Sequence, residues 1–337
     1  MRLATAAALF LVCTPCHAAE LSDMYPRSAL EADAQRLQTA VRKIYTLGLV
    51  PTLTAGERDE LGEVTFHFPM PEAGDDPLNF YAYRGEDGKA HVVMPVLSLK
   101  AVEDMTTAYA WVQVNGLRHS TIDLYYAMLR HRPAAKFPGG RYRDVLSALS
   151  IPPKAHEQPG VDTLSLSLRN EAIAFILTHE LGHVLFRHKG YGEITKAQAR
   201  ADEVQSDRFA LDVLARSATP PLGAVFYFQA QVYRFRHRGE FDSAEAWDDY
   251  LMTVSTHPMT VSRLQAMADH IAGPLAKARG AERGVWIGIG RQLGKVAGIL
   301  RDPDLQKCIA KGAAEAPFDV LKPGTTDPDW AMEQMCR

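Results

Sequence analysis

The sequence is poor in cysteine. Only four of its 337 residues are cysteines, and two of them, Cys13 and Cys16, lie close to the N-terminus. The other two, Cys308 and Cys336, are too far apart for a CxxC motif, which argues against a zinc site built from thiolates. In an oxidising compartment these two thiols can form a disulfide that ties the C-terminal tail to the preceding helix. Two unpaired thiols are the alternative.

The sequence also has little excess of charge of either sign and few long hydrophobic runs. The formal net charge of −3 gives no electrostatic basis for binding nucleic acid or an anionic membrane. The apolar run from Leu3 to Val12 is about ten residues long, whereas a membrane-spanning helix needs about twenty. We therefore predict no nucleic-acid partner and no transmembrane span. The sequence leaves the oligomeric state open.

The N-terminus nevertheless has the organisation of a secretory signal peptide. Arg2 precedes the apolar run, and small residues follow it. We predict cleavage after Ala18 or Ala19 and a soluble mature protein that is periplasmic or secreted. An uncleaved anchor and a lipoprotein modified at Cys13 or Cys16 are alternatives that fit these residues less well.

The hydrophobic pattern predicts an α+β fold dominated by helix, with a small antiparallel sheet packed beside a helical bundle. Three segments read as strands, 64–69, 78–84 and 89–95, and the turn sequence GEDG joins the last two into a hairpin. Helical periodicity covers 29–48 and most of the chain after residue 97. The predicted helices there are 97–115, 119–131, 141–149, 168–188, 194–216, 221–237, 242–254, 258–272 and 284–300.

Two histidines and a glutamate interrupt the apolar segment RNEAIAFILTHELGHVLFRH. His179 and His183 are four residues apart, so both rings lie on one helical face and can direct a nitrogen at one zinc ion, about 2.0–2.1 Å away. Glu180 lies one position round, where a general base of an HExxH motif lies. Gly182 leaves room for substrate or for a neighbouring backbone. A polar cluster satisfied only by hydrogen bonds is the alternative, which so apolar a helix makes less favourable.

A third ligand is available in the next predicted helix. Glu203 lies twenty residues after His183, and two antiparallel helices joined by a short loop can bring it to the histidines. Two histidines, one glutamate and a water form a zinc site of the catalytic type. Asp207, one turn later, can accept a hydrogen bond from a ligating imidazole. For Glu203 and Asp207 the alternative is an acidic, solvated helix face.

Three segments, HELGHVLFRH, EVQSDRFALDVL and STHPMTVSRL, resemble the gluzincin zinc metallopeptidases of the HtpX, BepA and CAAX-prenyl-protease-like family. The resemblance covers about residues 168–270. It implies one Zn²⁺ per chain bound by His179, His183 and Glu203, with Glu180 as the general base. It places His257 near the metal, where the equivalent residue gates the open site in some relatives, and gives Arg263 a supporting role. We interpret His188 as a favourable charge at the C-terminal end of its helix.

The resulting prediction is an exported zinc endopeptidase that acts on unfolded or misassembled envelope proteins. Its polypeptide substrate would add a strand to the sheet edge at residues 89–95. Two alternatives remain: a latent, zinc-capped chaperone-like or binding protein, and a helical structural protein whose HExxH is accidental. The predicted organisation is a signal peptide at 1–19, an N-terminal region at 20–160, a catalytic core at 161–275 and a C-terminal helical region at 276–337.

Overall fold

The computed structural model describes residues 21–72, 75–190, 193–236, 238–253 and 257–321. The predicted signal peptide, Ser255, Thr256 and Cys336 lie outside these ranges. Cys308 is disulfide-bonded. In the part of the chain that the structure describes, no helix has both the length and the apolar character needed to cross a bilayer.

Helices make up most of the described chain, which also contains a three-stranded sheet. The strands are β1 (Val64–His67), β2 (Tyr81–Arg84) and β3 (Ala90–Val93). The α-helices are α1 (Arg27–Lys43), α2 (Ala55–Leu61), α3 (Val96–Val114), α4 (Ser120–His131), α5 (Val145–Ala148), α6 (Pro159–Leu185), α7 (Lys196–Arg216), α8 (Leu222–Tyr233), α9 (Ala244–Thr253), α10 (Val261–His270), α11 (Arg283–Arg301) and α12 (Pro303–Glu315). Single π-helical segments, Ile44–Leu49 and Ile271–Leu275, extend α1 and α10.

The helix-dominant α+β class is confirmed, with differences at particular elements. The helix predicted at 141–149 shrinks to α5, because the Asp144 side chain caps its N-terminus by accepting a hydrogen bond from the Ser147 amide. Helix α6 begins at Pro159 rather than at residue 168, since a proline at the first helical position gives up no hydrogen bond. No helix was predicted at α2, and α12 lies within the predicted C-terminal helical region but has no counterpart among the predicted helices.

The predicted antiparallel sheet is wrong in one of its two pairings. The strand order is β1-β3-β2; β2 pairs antiparallel with β3, whereas β1 pairs parallel with β3. The chain leaves β1 and enters β2 on the far side, so that the hairpin returns β3 between the two. Residues 89–95 therefore contain the central strand and not an edge, and the exposed edge of the hairpin is β2.

Helix α6 lies at the centre of the molecule. It packs against α3, α7 and α8, and it also contacts β2 and β3. Its apolar residues, such as Leu177 and Leu181, are completely buried. One contiguous hydrophobic cluster runs from Leu21 to Leu321 and includes residues of each predicted region of the mature chain. The domain boundaries themselves stay a prediction. The HExxH segment thus lies on a helix that packs against three others in this core.

Candidate metal centre

The HExxH segment lies in the last two turns of α6. His179 and His183 face the same side of the helix, and their Nε2 atoms lie 3.0 Å apart. The His179 side chain is 3% exposed and that of His183 is 12% exposed. Both rings therefore direct the same nitrogen at one small volume, at the boundary between the core and solvent.

Helix α7 brings Glu203 to this volume. The Glu203 carboxylate is fully buried, with Oε2 3.5 Å from His179 Nε2 and Oε1 3.4 Å from His183 Nε2. Gly182 permits the approach of the two helices, because a Cβ at this position would lie 3.2 Å from the Cα of Ser206. Of the two roles predicted for Gly182, room for a neighbouring backbone is the one that these contacts support.

The arrangement fits a divalent cation. Ligand atoms about 2.1 Å from a tetrahedral zinc ion lie about 3.4 Å from one another, close to the separations among His179, His183 and Glu203. His257 joins them, since one ligand atom from each of the four residues lies within 4.8 Å of all the others. Two or three imidazoles and a carboxylate are also a donor set that zinc prefers.

His257 connects the cluster of candidate ligands to Glu180 and to the sheet. Its Nδ1 lies 3.0 Å from Glu203 Oε1 and 3.4 Å from His179 Nε2. Its Nε2 lies 3.1 Å from Glu180 Oε1 and 3.1 Å from the carbonyl oxygen of Phe80, the residue before β2. His257 is thus within reach of the metal position and of the predicted general base.

Asp207 and Arg263 contact two of the candidate ligands, His179 and Glu203. His179 Nδ1 lies 2.8 Å from Asp207 Oδ1, a contact that leaves Nε2 free to bind a cation. Arg263, on α10, donates to both oxygens of Asp207, at 2.7 and 2.9 Å, and its Nη1 lies 2.7 Å from Glu203 Oε2. One buried guanidinium therefore pairs with two buried carboxylates.

Burial and charge act in opposite directions on the pKa values of this cluster. Burial resists ionisation of Glu203, but Arg263 and His257 outweigh it and hold its pKa well below the ordinary value. Burial also resists ionisation of Glu180, yet His257 lowers its pKa. Burial disfavours a charged His257, but Glu180 and Glu203 raise its pKa well above the ordinary value. A cation that takes His257 as a ligand must therefore displace a proton.

The structure brings together all seven residues predicted for the site, and it adds two contacts that sequence reasoning missed. The first is the Phe80 carbonyl, which nothing in the local sequence distinguishes. The second is His188, whose Nδ1 lies 3.0 Å from His183 Nδ1. The interpretation of His188 as a favourable charge at the helix terminus does not account for this ring contact, although His188 follows His183 by five residues in the segment that carries the family resemblance.

A comparison with protein-family models points to a peptidase. The family model described as Peptidase U49 matches residues 148–279, a segment that contains helices α6 to α10 and every residue of the cluster. The match supports a peptidase family, and hence a proteolytic enzyme. No curated protein and no solved structure matches the chain.

The Arg263 ion pairs generate a stability prediction. Replacing Arg263 with Gln leaves two buried carboxylates without their cation, so the free energy of unfolding should fall by about 3–5 kcal/mol. The measurement is urea unfolding at neutral pH in the presence of a chelator. Arg200→Gln is the matched control, because Arg200 pairs with Asp248 at a partly exposed site and its loss should cost less than about 1 kcal/mol. Equal losses in the two variants would contradict the assignment.

Proposed function

We propose that the chain is an exported, zinc-dependent endopeptidase of the gluzincin type. The observation that carries this proposal is the convergence of His179, His183 and Glu203 on one point beside Glu180. The match to a peptidase family over the same segment supports it. The expected signal peptide supports export to the periplasm or the medium.

His179, His183 and Glu203 would hold the zinc ion. A bound zinc ion supplies Lewis acidity, which polarises a peptide carbonyl and makes a water molecule acidic near neutral pH. Helices α6 and α7 fix the three side chains on rigid backbone. Asp207 keeps the proton of His179 on Nδ1, and Arg263 keeps Glu203 ionised.

Glu180 is suited to the role of general base. Its side chain is 2% exposed, and among the described residues its Oε2 has no hydrogen-bond partner, so that this oxygen is available to a water or a substrate group. Because its pKa is lowered, Glu180 is ionised at neutral pH and can accept the proton of an attacking water. It can then deliver that proton to the leaving amine.

Strand β2 is the surface we assign to the polypeptide substrate. The Gly85 amide donates to the Lys89 carbonyl, and hydrogen-bonded pairs alternate along an antiparallel ladder. The backbone groups of Phe80 and Ala82 therefore point away from β3, and the contact between His257 and the Phe80 carbonyl agrees with this direction. An extended polypeptide added at β2 would pass the metal position.

This mode of binding implies broad specificity. Backbone pairing recognises an extended chain more than its side chains, and a folded protein rarely offers a free extended segment. The flanking side chains on β2, Tyr81 and Tyr83, are 40% and 46% exposed and can pack against many kinds of side chain. Unfolded or misassembled envelope proteins are therefore the substrate class we propose.

Glu180→Gln tests the mechanism. The variant keeps the shape of the side chain but removes the base, so turnover of an unstructured polypeptide should fall at least 100-fold, while zinc content stays at that of the unmodified chain. Glu171→Gln is the control, because Glu171 lies on the same helix and accepts a backbone hydrogen bond from Gly223, which Gln can also do. Full cleavage by the Glu180→Gln variant would defeat the mechanism.

A second candidate function has one specific observation in its favour. His257 Nδ1 lies among the ligand atoms, where it can fill the fourth position of a tetrahedral ion and exclude water. In that state the protein would be a zinc-capped, largely latent chaperone-like or binding protein on the same scaffold. Release of His257 would then be needed before any hydrolysis.

His257→Ala separates the two candidates. If His257 caps the ion, the variant opens the fourth position and turnover of the unstructured polypeptide should rise at least tenfold. The control is His270→Ala, because His270 lies on α10 and contacts Asp212 outside the cluster. A fall in kcat with an unchanged KM would contradict capping. That result would instead make His257 a group that stabilises the developing oxyanion.

A further inference from the structure

After the end of helix α6 the chain turns back toward the cluster of candidate metal ligands. Phe186 is the last residue of the helical turn, and Arg187 adopts a left-handed conformation with φ of 57°. The Arg187 amide donates to the Val184 carbonyl at 3.2 Å, and the His188 amide donates to the His183 carbonyl at 3.0 Å. This pair of hydrogen bonds defines a Schellman motif, which folds the second residue after a helix over its last turn.

The motif places the ring of His188 against the ring of His183. In many Schellman motifs the corresponding contact is between two apolar side chains. Here the two Nδ1 atoms lie 3.0 Å apart, which is a hydrogen-bond distance. The His188 side chain is 7% exposed, so this hydrogen bond is shielded from water. The Arg187 side chain contacts Glu60 of α2, which helps to hold the turn in place.

Helix α7 determines which nitrogen of His188 carries a proton. The Nε2 atom of His188 lies 3.1 Å from Gln205 Oε1 and 3.5 Å from Asp202 Oδ1. Both partners are acceptors, so Nε2 of His188 is the donor and its Nδ1 carries the lone pair. The proton in the bond between the two rings then belongs to Nδ1 of His183. Nε2 of His183 keeps the lone pair that a cation needs.

We propose that His188 is a positioning residue that fixes His183 in the tautomer and ring orientation required for metal binding. The inference rests on the proposed metal centre. It gives each ligating histidine a different support: Asp207 holds His179, and an imidazole, itself held by Gln205, holds His183. Partners of this kind contribute about 10–100-fold to metal affinity in other sites.

Three substitutions at His188 separate the positioning role from simple packing. The amide of Asn occupies the place of Nδ1 in histidine, so His188→Asn keeps an acceptor for His183. The amide of Gln reaches the place of Nε2, so His188→Gln keeps the contact to Gln205 but loses the one to His183. His188→Phe keeps the ring but offers no acceptor.

The experiment measures the Kd for zinc by competition with a chelator and, separately, the thermal midpoint of each metal-free protein. We expect the Kd to rise 10–100-fold in His188→Gln and His188→Phe and to stay within about threefold of the unmodified chain in His188→Asn. The thermal midpoints of the Asn and Gln variants should agree, because both remove the same ring.

The outcomes distinguish this inference from the proposed function. If the unmodified chain binds no zinc tightly, the proposed function fails and the inference fails with it. If the unmodified chain binds zinc tightly and His188→Gln and His188→Phe bind it equally well, the inference alone is wrong. Equal weakening in the Asn and Gln variants would also overturn it, because the loss would then not follow the acceptor at Nδ1.

Discussion

The candidate site depends on the pairing of one buried guanidinium with two buried carboxylates. Arg263 contacts both Asp207 and Glu203, and all three side chains are almost fully enclosed. Carboxylates in such an environment lose their hydration and stay ionised only when a positive charge is close. Arg263 supplies that charge from outside the proposed metal position. It thereby keeps Glu203 ionised, with the carboxylate facing the two histidines, and it leaves Asp207 able to orient His179.

This pairing joins parts of the chain that are distant in sequence. The two histidines come from α6, the carboxylates from α7 and the guanidinium from α10, while the loop before α10 carries His257 to the start of β2. The site therefore lies where two packed helices meet the edge of the sheet. An extended substrate on β2 would reach Glu180, the proposed general base, and the proposed metal position from one side, whereas Arg263 and Asp207 close the other side.

The sequence predicts well which side chains of the two helices converge, because their geometry is local. His179, Glu180 and His183 follow from helical periodicity, and Glu203 with Asp207 follows from a second helix after a short turn. His257 and Arg263 lack such a signal, and only the resemblance to a known family pointed to them. The Phe80 carbonyl could not be predicted, since any residue offers a backbone oxygen.

Two features of the fold escaped sequence reasoning for physical reasons. The parallel pairing of β1 with β3 depends on where the chain crosses the sheet, and residues within the strands do not encode that path. The contact between His188 and His183 depends on a left-handed backbone at Arg187, a conformation that glycine adopts far more readily. A helix end with arginine at this position gave no sign that the chain reverses there.

The most direct test of a metal centre made from two helices is X-ray absorption at the zinc edge on the purified chain, combined with its metal content. We expect one zinc ion per chain, with nitrogen and oxygen ligands at about 2.0–2.1 Å and the scattering of at least two imidazoles. Substoichiometric metal, or a first shell that contains sulfur or lacks imidazole, would contradict it.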